Sequence, residues 1–456
     1  MKSIVLFGSG RSAPSLIKYL LEKSGDQHFQ ITIADINETD GQKYSTDNPN
    51  CHFIKSDLTE EHERNKLIQG ADLVISMVPA RFHTLILTSC IRFKKDLITP
   101  SYETKEMRDL AREIDSSGIL VINELGLDPG IDHLSAMKVI DEIRQAGYHL
   151  TAFESFTGGL MAPGCDNNPW QYKFTWNPRN VVLAGQGGAV RFLHNGKFKY
   201  IPYSKIFRRT EKIEIEDFGT FEGYANRDSL GYIEKYGLKD ISTIYRGTLR
   251  RPGFCRAWDL LVQLGVTDDS YQVEGSADMT FREFINSFLP YNPHDSVELK
   301  LMQYLKIDQD SGLMEKLRFL GLFTNEKIGI PNATPARIME HILKKVWTMS
   351  PHDKDMIVMW HKFFYEGNAA DKYQRTSSLV AIGEGSEYTA MAKTVGLPMG
   401  IAATYILQNR IKLRGLHLPV KPEIYLPLLE ELKNYGIVFN DKVETLENYV
   451  ENGPIF

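Results

Sequence analysis

The chain opens on a short, unbroken apolar run, Ile4–Phe7, the pattern of a strand buried on both faces. Gly8 to Ala13 follow at once, and then apolar residues at Leu16, Ile17, Leu20 and Leu21 set a helical period. Gln30–Ala34 predicts a second strand. Val74–Val78, after a turn at Asp72, predicts another, and Pro79–His83 opens the next helix. Asp96–Thr99 and Ile119–Asn123 add further strands. Strands alternating with helices up to about residue 125 predict one doubly wound α/β domain. From Tyr148 the pattern changes. Leu150–Phe156 reads as a strand ending in Thr157–Leu160. Val181–Leu183, Val190–Phe192, Lys212–Glu216 and Thr243–Tyr245 read as strands of a predominantly antiparallel sheet. Thr280 to Lys345 reads as helical, with apolar spacing at Phe284, Ile285, Phe288 and later Leu299, Met302 and Leu305. Met356–Met359 is a strand pattern, and Ala390–Leu407 is a long helix rich in small residues, expected to pack back near the first domain.

The order strand, glycine-rich turn, helix is what a dinucleotide fingerprint demands. Gly8 permits the tight turn, Gly10 lets the backbone approach a pyrophosphate, and Ala13 stands where a third glycine lets helix meet strand. Ser9, Arg11 and Ser12 complete the loop, and the N–H groups of the following helix face the phosphates. The second strand ends on Asp35, about 20 residues past the loop, where an acid bonds the adenosine ribose hydroxyls and repels a 2′-phosphate. NAD is therefore expected over NADP. Arg11 and Asn37 keep dual use open, because Arg11 faces the pyrophosphate, accepts a 2′-phosphate, or is a solvated turn residue. Val78 and Pro79, in the turn that passes the nicotinamide ribose in such folds, are further cofactor-contact candidates.

Residues 124–133 read Glu-Leu-Gly-Leu-Asp-Pro-Gly-Ile-Asp-His directly after a strand pattern. Carboxylates, an imidazole, two glycines and a proline in one tight loop fall where the carboxyl end of a nucleotide-binding sheet takes its ligands. Asp128 is a candidate acid or base, set against a turn carboxylate that bonds its own backbone. Asp132 and His133 are expected to cap the next helix and brace the loop.

Composition narrows the class. With 456 residues, 42% of them hydrophobic, the chain is long enough for two or three globular domains. A formal net charge of −5 without a basic block gives no support to nucleic-acid binding. No apolar run is expected to reach the roughly 20 residues of a membrane span, and the opening residues leave no room for a signal peptide. The four scattered cysteines have no Cys-x-x-Cys spacing, which fits free thiols and a reducing cytoplasm. No metal-ligand spacing is present, and no metal is expected.

Several motifs together carry a family resemblance: Gly8–Gly10, Glu124–His133, Gly158–Gly159, Asn168–Pro169 with Tyr172–Trp176, Asn226–Ser229, Arg246–Arg250, Met391–Pro398 and Pro422–Tyr425. In that order the chain resembles, over nearly its whole length, saccharopine dehydrogenases of the glutamate-forming kind, also called saccharopine reductases. The resemblance implies three parts: an N-terminal Rossmann doubly wound domain, a mixed α/β substrate and dimerisation domain, and a small helical domain. The expected segments are 1–128 for nucleotide, 129–280 for substrate, 281–350 helical, 351–390 returning to the substrate domain, and 391–456 packing near the nucleotide domain. It also implies a homodimer that interconverts saccharopine with glutamate plus 2-aminoadipate 6-semialdehyde in lysine metabolism, using NAD or NADP.

That substrate joins two amino-acid ends through a secondary amine and carries three carboxylates. Arginines suit carboxylates because their planar fork bonds both oxygens. Arg227, Arg246 and Arg250 lie in the matching motifs and are the implied carboxylate binders. Ser101 and Tyr102 match a family Ser-Tyr at the cleft and are implied contacts of the substrate carboxylates, with Tyr102 also a catalytic candidate, set against a packing role. Thr157 stands where many members have cysteine, which removes a thiol mechanism but leaves a hydroxyl for substrate. Trp170 and Arg251–Pro252 also depart from the family pattern, as altered specificity or as packing changes. Two alternatives stay open: a related carbon–nitrogen oxidoreductase such as carboxynorspermidine dehydrogenase, and a nucleotide-binding regulator without turnover.

Overall fold

The computed structural model describes residues 1–46, 48–226, 228–367 and 371–446, except the side chains of residues 39 and 40. They form two compact units, one of residues 1–149 with 379–440, the other of residues 150–378 with the segment from Asp441 onward.

The first unit is a seven-stranded parallel sheet. Its strands are β1 (Lys2–Phe7), β2 (Phe29–Asp35), β3 (Cys51–Lys55), β4 (Leu73–Ser76), β5 (Asp96–Ile98), β6 (Leu120–Ile122) and β15 (Gly415–His417), in the order β15-β6-β5-β4-β1-β2-β3. The order reverses between β1 and β4, the point at which open α/β sheets bind ligands. Ile4, Leu6, Val74, Leu97 and Val121 are buried because helices cover both sheet faces. The helices are α1 (Pro14–Ser24), α2 (Glu38–Ser45), α3 (Glu61–Gln69), α4 (His83–Phe93), α5 (Lys105–Asp109), α6 (Ala111–Ser117), α7 (Ile131–Gln145), α15 (Ala390–Leu407) and α16 (Pro422–Lys433).

The expected late helix is α15, and it packs on α1. A Cβ on Gly396 would lie 2.8 Å from the Leu16 backbone nitrogen, and one on Gly400 would lie 2.7 Å from the Tyr19 ring. α15 is also long and apolar enough to cross a bilayer, contrary to the sequence expectation, with 83% of that stretch buried inside the protein. Small residues on a helix let a neighbouring backbone approach closely, so its apolarity is that of a core helix. One further difference concerns this unit: β4 stops at Ser76, which leaves Val78 in the turn beyond it.

The second unit is built on a mixed sheet of nine strands. They are β7 (His149–Met161), β8 (Val190–His194), β9 (Lys197–Ile201), β10 (Thr210–Ile215), β11 (Gly219–Ala225), β12 (Thr243–Arg250), β13 (Asp355–Glu366), β14 (Lys372–Ile382) and β16 (Asn440–Thr445). The pairings β10–β11, β11–β12, β12–β8 and β8–β9 are antiparallel, as expected, while β7 and β12 at the centre pair in parallel. β7 also runs through Thr157–Leu160 instead of ending there.

Val181–Leu183, expected as a strand, lies in and just after the short helix α8 (Pro178–Val182). Asn177 caps that helix by accepting from the Arg179 N–H, and Pro178 suits its first position. α9 (Gly231–Lys235) and α10 (Phe254–Leu264) flank β12. The helical stretch after Thr280 divides into α11 (Phe281–Asn286), α12 (Val297–Leu305), α13 (Gly312–Phe319) and α14 (Pro335–Trp347). Thr280, Ser296, Ser311 and Thr334 cap these four in turn, each cap stabilising its helix by about 1 kcal/mol.

Candidate functional site

At the switch point of the first unit, Gly8 has φ +95°, and a Cβ there would lie 3.1 Å from the Met77 carbonyl and 3.3 Å from Val78. The structure thus brings the glycine-rich loop against the turn containing Val78 and Pro79. Gly10 and Arg11 are exposed, Ser12 is half-buried, and Ala13 is fully buried where α1 meets the sheet. The N-terminus of α1 has no side-chain cap and no acid in its first turn, so its N–H groups are left for an anion. Asp35 ends β2 and accepts from the Ser9 N–H at 2.6 Å and the Ser9 hydroxyl at 2.9 Å. A tight glycine turn, an uncapped helix start and an acid at the second strand fit a nicotinamide dinucleotide.

The carboxyl ends of β4, β5 and β6 carry a second cluster. Tyr102 and Asp128 are brought together, the phenol donating to Asp128 Oδ1 at 3.3 Å, and both are half-buried. Ser101 lies beside a histidine that the sequence reading missed. His83 Nε2 is 2.7 Å from Ser101 Oγ and 3.1 Å from Thr99 Oγ1, while Nδ1 is 2.7 Å from Ser76 Oγ. Burial depresses the His83 pKa to about 4, so the ring is neutral near pH 7 and carries one donor and one acceptor nitrogen. Sequence order conceals this network, because the three hydroxyl groups come from two other strand ends.

The loop after β6 is braced from within. Glu124 is fully buried at φ +58°, a conformation costly for a non-glycine residue. It is held by His133 Nε2 at 2.8 Å from its carboxylate, by the Glu103 N–H donating to it, and by its own N–H donating to the Ser101 carbonyl. Asp132 accepts from the Gly130 N–H at 2.5 Å. A Cβ on Gly130 would sit 1.9 Å from the Gly126 oxygen, so the turn admits only glycine there. Asp132 and His133 therefore brace the loop as expected. The helix start itself, at Gly130, has no side-chain cap.

In the second unit, Arg246, Thr248 and Arg250 alternate along one face of β12. Register places Ser155 beside Arg246 and Thr157 beside Thr248 on β7, and Tyr224 beside Thr248 on β11. The Arg246 guanidinium sits 3.9 Å from the Tyr232 ring centroid. Arg250 is 4% exposed, packed at 5.0 Å from the Tyr172 ring and 5.2 Å from Phe254, and makes no ion pair among the described residues. Its neighbour in register, Glu222, instead accepts from the Gly253 and Cys255 N–H groups at the start of α10. Nε of Arg250 and Oγ1 of Thr157 are buried without a hydrogen-bond partner among the described residues. A charged group held this way is costly unless an anion meets it. Arg227 lies outside the described residues. Trp170 is 1% exposed, donates to the Lys316 carbonyl at 2.8 Å and packs edge-on against Phe254 and Trp347, which is a core role.

The saccharopine dehydrogenase NADP binding domain model matches residues 4–122, and the saccharopine dehydrogenase C-terminal domain model matches residues 126–437. The chain is 34% identical over 447 residues to saccharopine dehydrogenase [NADP(+), L-glutamate-forming] of Saccharomyces cerevisiae, covering 97% of this chain and 99% of that one. It is 32% identical over 446 residues to the mitochondrial alpha-aminoadipic semialdehyde synthase of Bos taurus, covering 96% of this chain and 47% of the relative. The chain thus spans about half the length of that relative and of its rat and mouse counterparts. Among solved structures, apo saccharopine dehydrogenase (L-Glu forming) from Saccharomyces cerevisiae superposes with a TM-score of 0.88 at 32% identity, covering 97% of this chain and all of that one. Homospermidine synthase from Legionella pneumophila in complex with NAD shares the fold, with a TM-score of 0.56 at 11% identity over 99% of this chain and 94% of that one.

Proposed function

We propose, for a chain that belongs to the saccharopine dehydrogenase family, that it oxidises the secondary amine of saccharopine. Saccharopine, NAD(P)+ and water would give L-glutamate, 2-aminoadipate 6-semialdehyde, NAD(P)H and a proton, a step of lysine metabolism. The observation that carries this reading is Arg250, a buried guanidinium with no acid partner among the described residues, on the same strand face as Arg246. Two cations on one face suit a substrate with several carboxylates and disfavour a polyamine such as carboxynorspermidine, which carries ammonium groups.

In this reading Gly8, Ser9, Gly10, Arg11, Ser12, Ala13, Asp35, Val78 and Pro79 hold the dinucleotide, which when bound supplies the hydride acceptor. Asp128 holds or takes the proton of the substrate amine, and Tyr102, donating to Asp128 Oδ1, orients that carboxylate. Ser101, Thr157, Arg227, Arg246 and Arg250 bind the substrate, the arginines through its carboxylates. Thr157 offers a buried hydroxyl and no thiol chemistry. The division into nucleotide, substrate and helical segments at residues 128, 280, 350 and 390, and a homodimer, belong to the same proposal. So does a cytoplasmic location, supported by four cysteines without a disulfide.

The test is nicotinamide reduction followed by absorbance, with saccharopine and NAD or NADP in parallel and glutamate measured among the products. Glutamate formed in step with reduced cofactor is the expected result. Binding of the dinucleotide without turnover of saccharopine would overturn the substrate.

A further inference from the structure

The acid at the end of β2 is clamped in a way that bears on which dinucleotide the chain takes. Oδ2 of Asp35 accepts two hydrogen bonds from Ser9, one from its backbone N–H at 2.6 Å and one from its hydroxyl at 2.9 Å. Oδ1 accepts from the Asn37 N–H at 2.9 Å. A carboxylate has about four acceptor directions. Three are engaged here by donors on both flanks, so the group cannot turn away, and the remaining direction is left for a ribose hydroxyl.

The cation that the register sets opposite the acid is directed to another carboxylate. Among the described residues no lysine or arginine pairs with Asp35. Lys55, opposite Asp35 in the β2–β3 register, lies 3.7 Å from Glu38 instead. The residue after the acid is Ile36, 66% exposed, an apolar side chain where a basic one would be needed to meet a phosphate. Ser9 itself is 3% exposed and sits in the turn made by Gly8, so its hydroxyl is packed against the acid instead of solvent.

We infer that Ser9 is a positioning residue that fixes Asp35 as a specificity acid, so that this chain takes NAD and rejects NADP. This separates it from the fungal relatives, whose names carry NADP(+). The inference rests on the dinucleotide-dependent function proposed above and narrows its cofactor.

Equilibrium binding tests it without turnover. The purified full-length chain, with no saccharopine present, is titrated with NAD and with NADP by calorimetry. The expected result is NAD about 100-fold tighter, since juxtaposed like charges cost several kcal/mol and tenfold corresponds to about 1.4 kcal/mol. Asp35→Asn keeps the shape and removes the charge, and it should raise NADP affinity about tenfold or more on the same scale. Ser9→Ala keeps the acid but frees it, and the NAD-to-NADP ratio should fall about tenfold while circular dichroism stays unchanged. NADP binding as tight as or tighter than NAD by the unaltered chain would overturn the inference. An unchanged ratio in Ser9→Ala would overturn the part given to Ser9. A folded chain that binds neither nucleotide would overturn the proposed function itself, and this inference with it.

Discussion

His83 Nε2 lies 2.7 Å from the Ser101 hydroxyl, while the opposite ring nitrogen lies 2.7 Å from that of Ser76. A buried neutral imidazole is thus clasped between two hydroxyls, and its protonation is coupled to folding. Burial lowers its pKa from 6.5 to about 4. Above pH 6.5 the ring is neutral in folded and unfolded chains alike. Between these values the unfolded chain takes the proton first, so it binds more protons than the folded chain and stability falls as pH falls. The loss should reach about 3 kcal/mol by pH 4 and then level off. Urea unfolding at several pH values, compared with His83→Gln, checks this. The variant should lose that part of the slope between pH 6.5 and 4, and identical slopes would show that His83 titrates alike in both states.

Arg250 separates a substrate role from a structural one. It is surrounded by Tyr172, Tyr224 and Phe254 without an acid partner among the described residues. A buried charge without an acid partner carries a desolvation cost that an apolar side chain of similar length does not. Arg250→Met should therefore leave the melting temperature equal or higher, while the KM for saccharopine rises about 100-fold. A lower melting temperature with an unchanged KM would make Arg250 a structural residue.

Tyr102 and Asp128 are expected to act as a unit, since the phenol donates to the carboxylate at 3.3 Å. Asp128→Asn should lower kcat about 100-fold or more, the scale of a lost acid–base group. Tyr102→Phe should lower it about tenfold, the scale of one hydrogen bond to a charged group. The double variant should be no slower than Asp128→Asn alone, because the phenol works through the acid it orients. Multiplicative losses in steady-state kinetics would give Tyr102 an independent contact with substrate.

The nucleotide half was legible because its signals are local. β1, Gly8, α1 and Asp35 lie within 35 residues, and a doubly buried strand followed by a glycine turn has few other uses. Val181–Leu183 was misread for a local reason too. Three apolar residues have no measurable period, whereas the deciding signal was the cap and first-turn proline just before them, Asn177 and Pro178. The His83 network was illegible because its hydroxyl partners come from two different strand ends. The face shared by Arg246, Arg250 and Thr157 needed the β7–β12 register, which no single-strand pattern contains. The loop of residues 124–133 stood out as chemically dense, but it was the left-handed Glu124 and the crowded Gly130 that showed how it is held.

The helix pair α1–α15 gives a prediction about stability alone. Gly396 faces the start of α1 so closely that an added Cβ would lie 2.8 Å from the Leu16 nitrogen and 3.0 Å from the Leu16 Cβ. The nearer atom is backbone and cannot move aside without shifting α1. Gly396→Ala gains helix propensity of about 1 kcal/mol. It loses about 1–3 kcal/mol to overpacking, so the net effect should be destabilising. Gly400→Ala meets the Tyr19 ring at 2.7 Å, a side chain whose phenol is tied to Glu431 and so cannot swing freely. Both variants should lower the urea midpoint, with Gly396→Ala the worse because its obstacle is main chain. A rise in the midpoint for Gly396→Ala would mean that α15 slides along α1 at little cost and that helix propensity decides the sign.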